Sequence, residues 1–254
     1  MKKIVKKIFN SIGLDIKRLN PELKNNLSFD EIYQLKIKDN CTIFDIGANK
    51  GQSIERFRKI FPNSIIHSFE PNKAEFEIIN KKYQNDKKII INNIAIGDKI
   101  EKKNFFITAL SGTSSFNKLN LNTQWIKKRS SQYNTSIEGY TKKVVEVDVL
   151  TLDQYCKNNS IDNIDIVKID TQGYEDKILG GSSEILEKNI VKMIELEVMF
   201  DDVYERHLSF SDIEKYLLPY NFRFSAITTA NNNLFEGLVF FADVIYINTK
   251  KIKI

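Results

Sequence analysis

Asp45-Ile46-Gly47-Ala48-Asn49-Lys50-Gly51 follows a short apolar run, Thr42–Asp45, and precedes a helical pattern, Gln52–Phe61, that stops before Pro62. A glycine-rich turn between a strand and a helix marks where a ligand meets backbone at a strand's carboxyl end. Residue type narrows the ligand. A dinucleotide turn wants glycine at its middle position so that a pyrophosphate can approach the backbone, and Asn49 stands there instead. A phosphate-cradling loop ends in Gly-Lys-Ser/Thr, whereas Gly51 is followed by Gln52.

Asp45 adds a charge argument. A carboxylate beside the turn repels a phosphate and suits a ligand carrying an ammonium and a sulfonium. S-adenosylmethionine carries both and has no phosphate. Asp45, Gly47, Ala48, Asn49 and Gly51 are therefore predicted to bind this cofactor. The next strand, Ser64–Glu70, ends in an acid about 20 residues further on, placed to receive ribose hydroxyls. A third strand, Lys88–Asn92, leads into Asn93-Ile94-Ala95, where the Asn93 side chain and the backbone near Ala95 could meet the adenine edge; Asn93 reads equally well as a turn former.

With the helical spacing of Phe76, Ile79 and Tyr83, this is the βαβαβ rhythm of a parallel, doubly wound sheet. The rhythm breaks after Phe105–Thr108: residues 109–143 are polar and hold Trp125, the only tryptophan, which reads as a lid loop over an acceptor. It resumes with strand Val144–Val149, a helix begun by Thr151 or Leu152, strand Ile164–Asp170, a helix from Asp176 to Leu186, and strand Ile190–Val198. Ser209 or Ser211 caps a helix closed by Pro219, and Phe222–Thr228 pairs with Leu238–Ile247 as an antiparallel hairpin turning at Asn231–Asn233.

The length of 254 residues predicts one domain, 37–254, behind an arm, 1–36. In that arm Ile4, Val5, Ile8, Phe9, Ile12, Ile16 and Leu19 recur at helical spacing among five lysines. Such a basic amphipathic stretch either packs on its own domain or touches an anionic membrane. No apolar run approaches the roughly 20 residues of a membrane span. Cys41 and Cys156 read as reduced core thiols. A cytoplasmic protein, at most peripheral to the inner membrane face, is expected. The net charge of +5 is spread evenly along the chain and is no nucleic-acid footprint.

With these residues laid out, the chain from Asp45 to Ile247 resembles the FkbM family of S-adenosylmethionine-dependent methyltransferases. The matching pieces are Asp45 to Gly51, Phe69-Glu70-Pro71-Asn72, Asn93-Ile94-Ala95-Ile96-Gly97-Asp98, Gly112-Thr113-Ser114-Ser115, Asp148 with Thr151-Leu152-Asp153, and Lys168-Ile169-Asp170-Thr171-Gln172-Gly173-Tyr174-Glu175. Glu195, Glu197 and Val203-Tyr204-Glu205 fit the later part. The resemblance implies a Rossmann-like, seven-stranded, mainly parallel α/β sheet of order 3-2-1-4-5-7-6. It also implies methylation at a hydroxyl oxygen of a sugar, glycan, glycolipid or secondary metabolite. Members often carry Glu where this chain has Gln172, which leaves the site one formal charge poorer.

An aliphatic hydroxyl is a weak nucleophile at neutral pH, so a base or a metal should help remove its proton. Asp170, at a strand end beside the cleft, is the first catalytic candidate; capping the next helix is its alternative. Glu197 could face the same cleft, and Glu195 shares its side of the strand. Together these acids could hold a divalent cation, but without a tight motif the expectation is a metal-free site. His207, in the loop after that strand, is a further candidate base, whereas His67 reads as packed. Trp125, Tyr133 and Tyr140 could stack on a sugar face. Two rivals stay open. A nucleic-acid methyltransferase would need an Asp/Asn-Pro-Pro-aromatic motif, of which Leu218-Pro219-Tyr220 lacks the first residues, or a nucleophilic cysteine, and Cys156 lies in an apolar helical pattern. The second rival is a non-catalytic protein that binds S-adenosylmethionine.

Overall fold

Ile43, Phe44 and Ile46 put apolar side chains on both faces of the first strand, β1 (Thr42–Ile46), and all three are fully buried. A strand apolar on both faces must lie inside a sheet covered on both sides. In the computed structural model, which describes residues 27–229 and 239–253, β1 is central. It pairs in parallel with β2 (Ile65–Phe69) on one side and β7 (Ile164–Ile169) on the other. Helix α2 (Gln52–Ile60) joins β1 to β2, and α3 (Lys73–Tyr83) joins β2 to β3 (Ile89–Asn92).

The chain divides into two units, Met1–Leu35 and Lys36–Ile254. A reciprocal cap opens α1 (Phe29–Lys36): the Glu31 amide donates to Ser28 Oγ at 3.3 Å, and the Ser28 amide donates to Glu31 Oε2 at 2.9 Å. The basic stretch Met1–Asn20 and the turn Asn231–Asn233 lie outside the described residues.

The main sheet runs β3-β2-β1-β7-β8-β10-β9, with β8 (Val191–Met199) parallel to β7 and β10 (Phe241–Asn248) antiparallel to both β8 and β9 (Phe222–Thr229). Counting only its own strands in chain order, this is 3-2-1-4-5-7-6, the order the resemblance implied, ending in the expected hairpin. One strand departs from the expected rhythm. Val144–Val149 belongs to β6 (Thr141–Leu150), which leaves the main sheet to pair antiparallel with β5 (Glu101–Thr108) and parallel with β4 (Ala95–Ile96). From Val144 to Asp148 its residues alternate between exposed and half-buried, as suits a sheet wetted on one face.

The expected lid loop is also a folded piece. It holds a tight turn at Ser111–Thr113 and helix α4 (Gln124–Gln132), whose first turn is capped by Thr123 Oγ1 accepting from the Ile126 amide at 3.3 Å. Trp125, Ile126 and Tyr140 form a small second core with Leu119, Val203, Tyr204 and Phe240. Beyond it, α5 (Leu152–Asn158), α6 (Glu175–Gly180) and α7 (Ser183–Glu187) pack on the main core, and α8 (Phe210–Leu217) starts at the Ser209 capping box.

Candidate active site

A cleft of about 450 Å3 opens at the carboxyl ends of the parallel strands. Gly47, Ala48 and Asn49 line it after β1, Glu70, Pro71 and Asn72 after β2, Asp170, Thr171 and Gln172 after β7, and Glu197 and Met199 from β8. Open parallel sheets bind ligands at such a place because connections leave the strand ends in opposite directions there.

Gly47 sets the width of this opening. Its φ is +88°, and a Cβ would stand 2.0 Å from the Asp170 carbonyl oxygen, so the β1 and β7 turns approach backbone to backbone. Asn49 follows at φ 46°, a region Asn tolerates. Its amide donates to Glu70 Oε2 at 2.7 Å, and the Asn72 amide donates to Glu70 Oε1 at 2.8 Å. One carboxylate therefore clamps both turns, and each oxygen keeps a second lone pair for a ligand hydroxyl. Burial pushes the Glu70 carboxyl up to about 7, against the pull of the two amides. Glu75 Oε2, in the same wall, is buried without a hydrogen-bond partner. Ile46, Phe69, Pro71 and Ile96 supply apolar surface beside these acceptors. An acceptor-rich wall of this kind fits a hydroxyl-bearing cationic nucleoside such as S-adenosylmethionine.

The other end of the cleft is assembled from side chains. Lys168 Nζ donates to Asp170 Oδ2 at 3.0 Å. Gln172 Nε2 donates to Asp170 Oδ1 at 3.1 Å and to Glu197 Oε2 at 2.7 Å, so one amide joins two carboxylates. The Tyr204 hydroxyl lies 3.2 Å from Gln172 Oε1 and 2.9 Å from the Thr113 carbonyl. Gln172 sits at φ 60° and Gly173 at φ 88°, a tight left-handed turn held by Glu175 Oε1, which accepts from the Thr171 amide at 3.0 Å and the Gly173 amide at 3.3 Å. Ser115 Oγ and Asn117 Nδ2 fasten the same turn by donating to the Gln172 and Gly173 carbonyls at 2.8 and 2.7 Å.

The two carboxylates differ in their surroundings. Burial raises both. At Asp170 the Lys168 charge and the hydrogen bonds from Lys168 and Gln172 outweigh burial and hold the carboxyl below its ordinary value. At Glu197 the negative charges of Asp170, Glu175 and Asp243 add to burial and push it well above.

Of the residues nominated from sequence, Gly47, Ala48, Asn49, Glu70, Ala95, Asp170 and Glu197 converge on this cleft. Asp45 does not: it is fully buried beneath the turn. Strand register sets it between Ser68 and Lys168, and Lys168 between it and Glu195. Ser68 Oγ donates to Asp45 Oδ2 at 3.3 Å, and Arg56 from α2 meets Glu195 at 2.7 and 3.0 Å. Burial pushes Asp45 up to about 6. The acids that line the mouth are Glu70, Glu75, Asp170 and Glu197 instead.

Gly51 is buried against Ile79, and the Asn93 amide is taken by the carbonyls of Glu70 and Pro71 at 2.9 and 3.2 Å, which is the turn-forming alternative. His207 stays outside the cleft wall. Val203 and Tyr204 turn inward and Arg206 pairs with Asp176 at 2.8 Å, leaving His207 exposed with Nδ1 3.8 Å from Asp202. Tyr133 and Tyr140 stack edge-on behind Trp125 to anchor the lid, and only Trp125 reaches the cleft. Among the described residues no cluster of three or more metal-ligating side chains forms; Glu195 is spent on Arg56. Lys168, Glu75, Arg129 and Tyr204 were missed. Lys168 had a sequence signal, two residues before Asp170 on the same strand face, and Tyr204 lies in a piece of the family resemblance.

Residues 45–224, more than half of the chain, match the family described as the methyltransferase FkbM domain. The chain belongs to the FkbM methyltransferase family. The FkbM chain is 25% identical over 179 residues to the 2-O-methyltransferase NoeI of Sinorhizobium fredii (strain NBRC 101917 / NGR234), covering 70% of this chain and 71% of NoeI. Among solved structures, magnesium protoporphyrin IX methyltransferase (ChlM) from Synechocystis PCC 6803 with bound SAM is similar with TM-score 0.45 at 10% identity, over 97% of this chain and 96% of that one. Methanococcus jannaschii fibrillarin gives 0.44 at 11% identity, over 83% and 67%. The FkbM domain makes the protein an S-adenosylmethionine-dependent methyltransferase. No helix of the described residues is long and apolar enough to cross a membrane.

Proposed function

We propose that the protein methylates a hydroxyl oxygen of a sugar, glycan, glycolipid or secondary metabolite, with Glu197 as the base that takes the hydroxyl proton. Bound S-adenosylmethionine supplies the methyl group from a sulfonium that loses its charge on transfer. The observation that carries the assignment is the opposed environments of two carboxylates sharing Gln172 Nε2. A base works best when its pKa lies near the working pH. Glu197 is pushed well above its ordinary value and so is the stronger base, whereas Asp170, held low by Lys168, is the weaker one. Asp170 then acts as a positioning residue: it orients Gln172, which orients Glu197. This reverses the order in which the two acids stand out in the sequence.

A hydroxyl acceptor is supported by NoeI, whose name describes a 2-O-methyltransferase, and by Trp125, which gives the acceptor end a flat apolar wall. A cytoplasmic setting goes with this reading. The two free, buried cysteines suit a reducing compartment, and the basic stretch Met1–Asn20 would meet the inner membrane face. Comparing intact masses of endogenous glycans and metabolites with and without the protein identifies the acceptor as a species gaining one methylene. With that acceptor, Glu197→Gln is expected to lower turnover by about 10²–10⁴ and leave S-adenosylhomocysteine affinity unchanged. Full turnover in Glu197→Gln beside a dead Asp170→Asn would return the base to Asp170.

A further inference from the structure

The lid helix carries a cation that meets no carboxylate among the described residues. Trp125 and Arg129 lie one turn apart on α4, so they share a face, and the guanidinium sits 5.8 Å from the Trp125 ring centroid. Both line the cleft, where Arg129 is the single basic side chain among the described residues. Arg129 Nη1 donates to Gln132 Oε1 at 3.0 Å. Its Nε is buried without a hydrogen-bond partner, and no carboxylate of the described residues stands within ion-pair distance of it. Buried polar groups are otherwise partnered as a rule, and a guanidinium facing a cleft presents a fork matched to the two oxygens of an oxyacid.

From this geometry we infer that the acceptor bears an anionic oxyacid group, a carboxylate or a phosphate ester, and that Arg129 receives it. The inference rests on the methyl-transfer reading above and names the substrate class for the same site. Position assigns the cation to the acceptor and not to the cofactor. α4 packs with Phe240 and Val203 at the β8–β10 end, the Glu197 side, whereas Glu70 and Glu75 line the β2 end. An acidic group held at Arg129 would anchor the sugar with one of its hydroxyls toward Glu197, and Trp125 would support both the guanidinium and the ring. An anionic acceptor is repelled by acids, and among the four that line the wall Glu70 and Glu197 are both raised by burial.

Calorimetry on the wild-type complex with S-adenosylhomocysteine tests this with three probes: methyl β-D-glucuronide, glucose 6-phosphate and the neutral methyl β-D-glucoside. At least one anion is expected to bind more than about tenfold tighter than the glucoside, and which one does so separates carboxylate from phosphate. Arg129→Gln should abolish the preference, Arg129→Lys should keep part of it, and both should bind S-adenosylhomocysteine as the wild type does. Equal or absent binding of all three probes to the wild type overturns the inference, as does a preference that survives in Arg129→Gln. Weakened S-adenosylhomocysteine binding in a folded Arg129→Gln also overturns it, because the guanidinium would then serve the cofactor's own carboxylate. A wild type that binds no S-adenosylhomocysteine removes the methyl-transfer reading itself.

Discussion

At the β2 end of the cleft the ligand-facing groups are backbone turns pinned by one carboxylate, Glu70; at the β8 end they are side chains delivered by three segments, Asp170 and Gln172 from the β7 turn, Glu197 from β8 and Arg129 from the lid, with the Tyr204 hydroxyl behind them on Gln172. The first construction is short-range. Asn49, Glu70 and Asn72 lie within a few residues of strand ends, and their geometry follows from the strands being parallel neighbours. The second depends on contacts between segments far apart in the chain, and its charges tune one another. The first kind of site holds a ligand common to many proteins; the second is where one enzyme can differ from its relatives at small structural cost.

Gly47→Ala should hurt both ends at once and is the largest effect expected. The new Cβ would meet the Asp170 carbonyl at 2.0 Å, and φ +88° is strained for alanine, so the β1 and β7 turns must separate. A loss of about 3 kcal/mol in stability and more than about 100-fold in S-adenosylhomocysteine affinity is expected. Denaturant unfolding and calorimetry read these. A variant that kept cofactor affinity and lost only turnover would show that the two ends are less tightly joined than the close approach implies.

Glu70→Ala acts at the β2 end alone. It removes the acceptor of two turn amides together with the oxygens offered to the ligand. Affinity for S-adenosylhomocysteine should fall at least about tenfold, while turnover at saturating cofactor is kept. A fall in saturated turnover with unchanged affinity would move Glu70 into the chemistry and erase the division between the ends.

Gln172→Glu probes the β8 end more gently. It replaces the donor between Asp170 and Glu197 with another carboxylate, so Glu197 should be pushed further up. The rising limb of the turnover–pH profile should move to higher pH by about one unit, lowering neutral turnover by up to about tenfold, with cofactor affinity unchanged. A profile that stays in place would mean that Glu197 does not take the proton.

The same contrast sets how much the sequence could tell. The strand–turn–helix at Asp45–Gly51 and the acid closing the next strand are local signals, and the sheet order follows once the resemblance is seen. Asp45 could not be placed from the sequence alone because its surroundings depend on register: only the pairing of β1 between β2 and β7 shows that it lies buried beneath the turn, away from the cleft wall. Helix α4 was hidden because its polar residues leave only Trp125 and Ile126 to anchor it, and their partners Val203, Tyr204 and Phe240 lie far along the chain. The second sheet escaped for a similar reason. β5 and β6 each read as strands, but nothing local says that they pair with one another across the whole lid.

His67 offers the smallest and sharpest test, because it lies near the β2 end and should touch stability without touching chemistry. Its Nδ1 is 2.9 Å from the Tyr155 hydroxyl and its ring 5.0 Å from Phe44, and burial pushes its pKa down to about 4. Between that value and the ordinary 6.5 the unfolded chain binds the extra proton, so the stability present above 6.5 is lost as pH falls through 4. Allowing for partial exposure of the ring, the loss is about 1–2 kcal/mol. Glu70 and Glu175, both raised to about 7, work in the opposite sense, favouring the folded state at low pH and losing that contribution as pH rises through 7. Those contributions are common to wild type and variant and cancel in the difference. His67→Phe should therefore lower the unfolding free energy at pH 7 relative to that at pH 4.5 by about 1–2 kcal/mol compared with the wild type, since Tyr155 still has Asn92 Oδ1 at 3.4 Å. Its turnover–pH profile should match that of the wild type. A shifted profile would give the β2 end a titrating role in the reaction, and the separation between a holding end and a reacting end would fail.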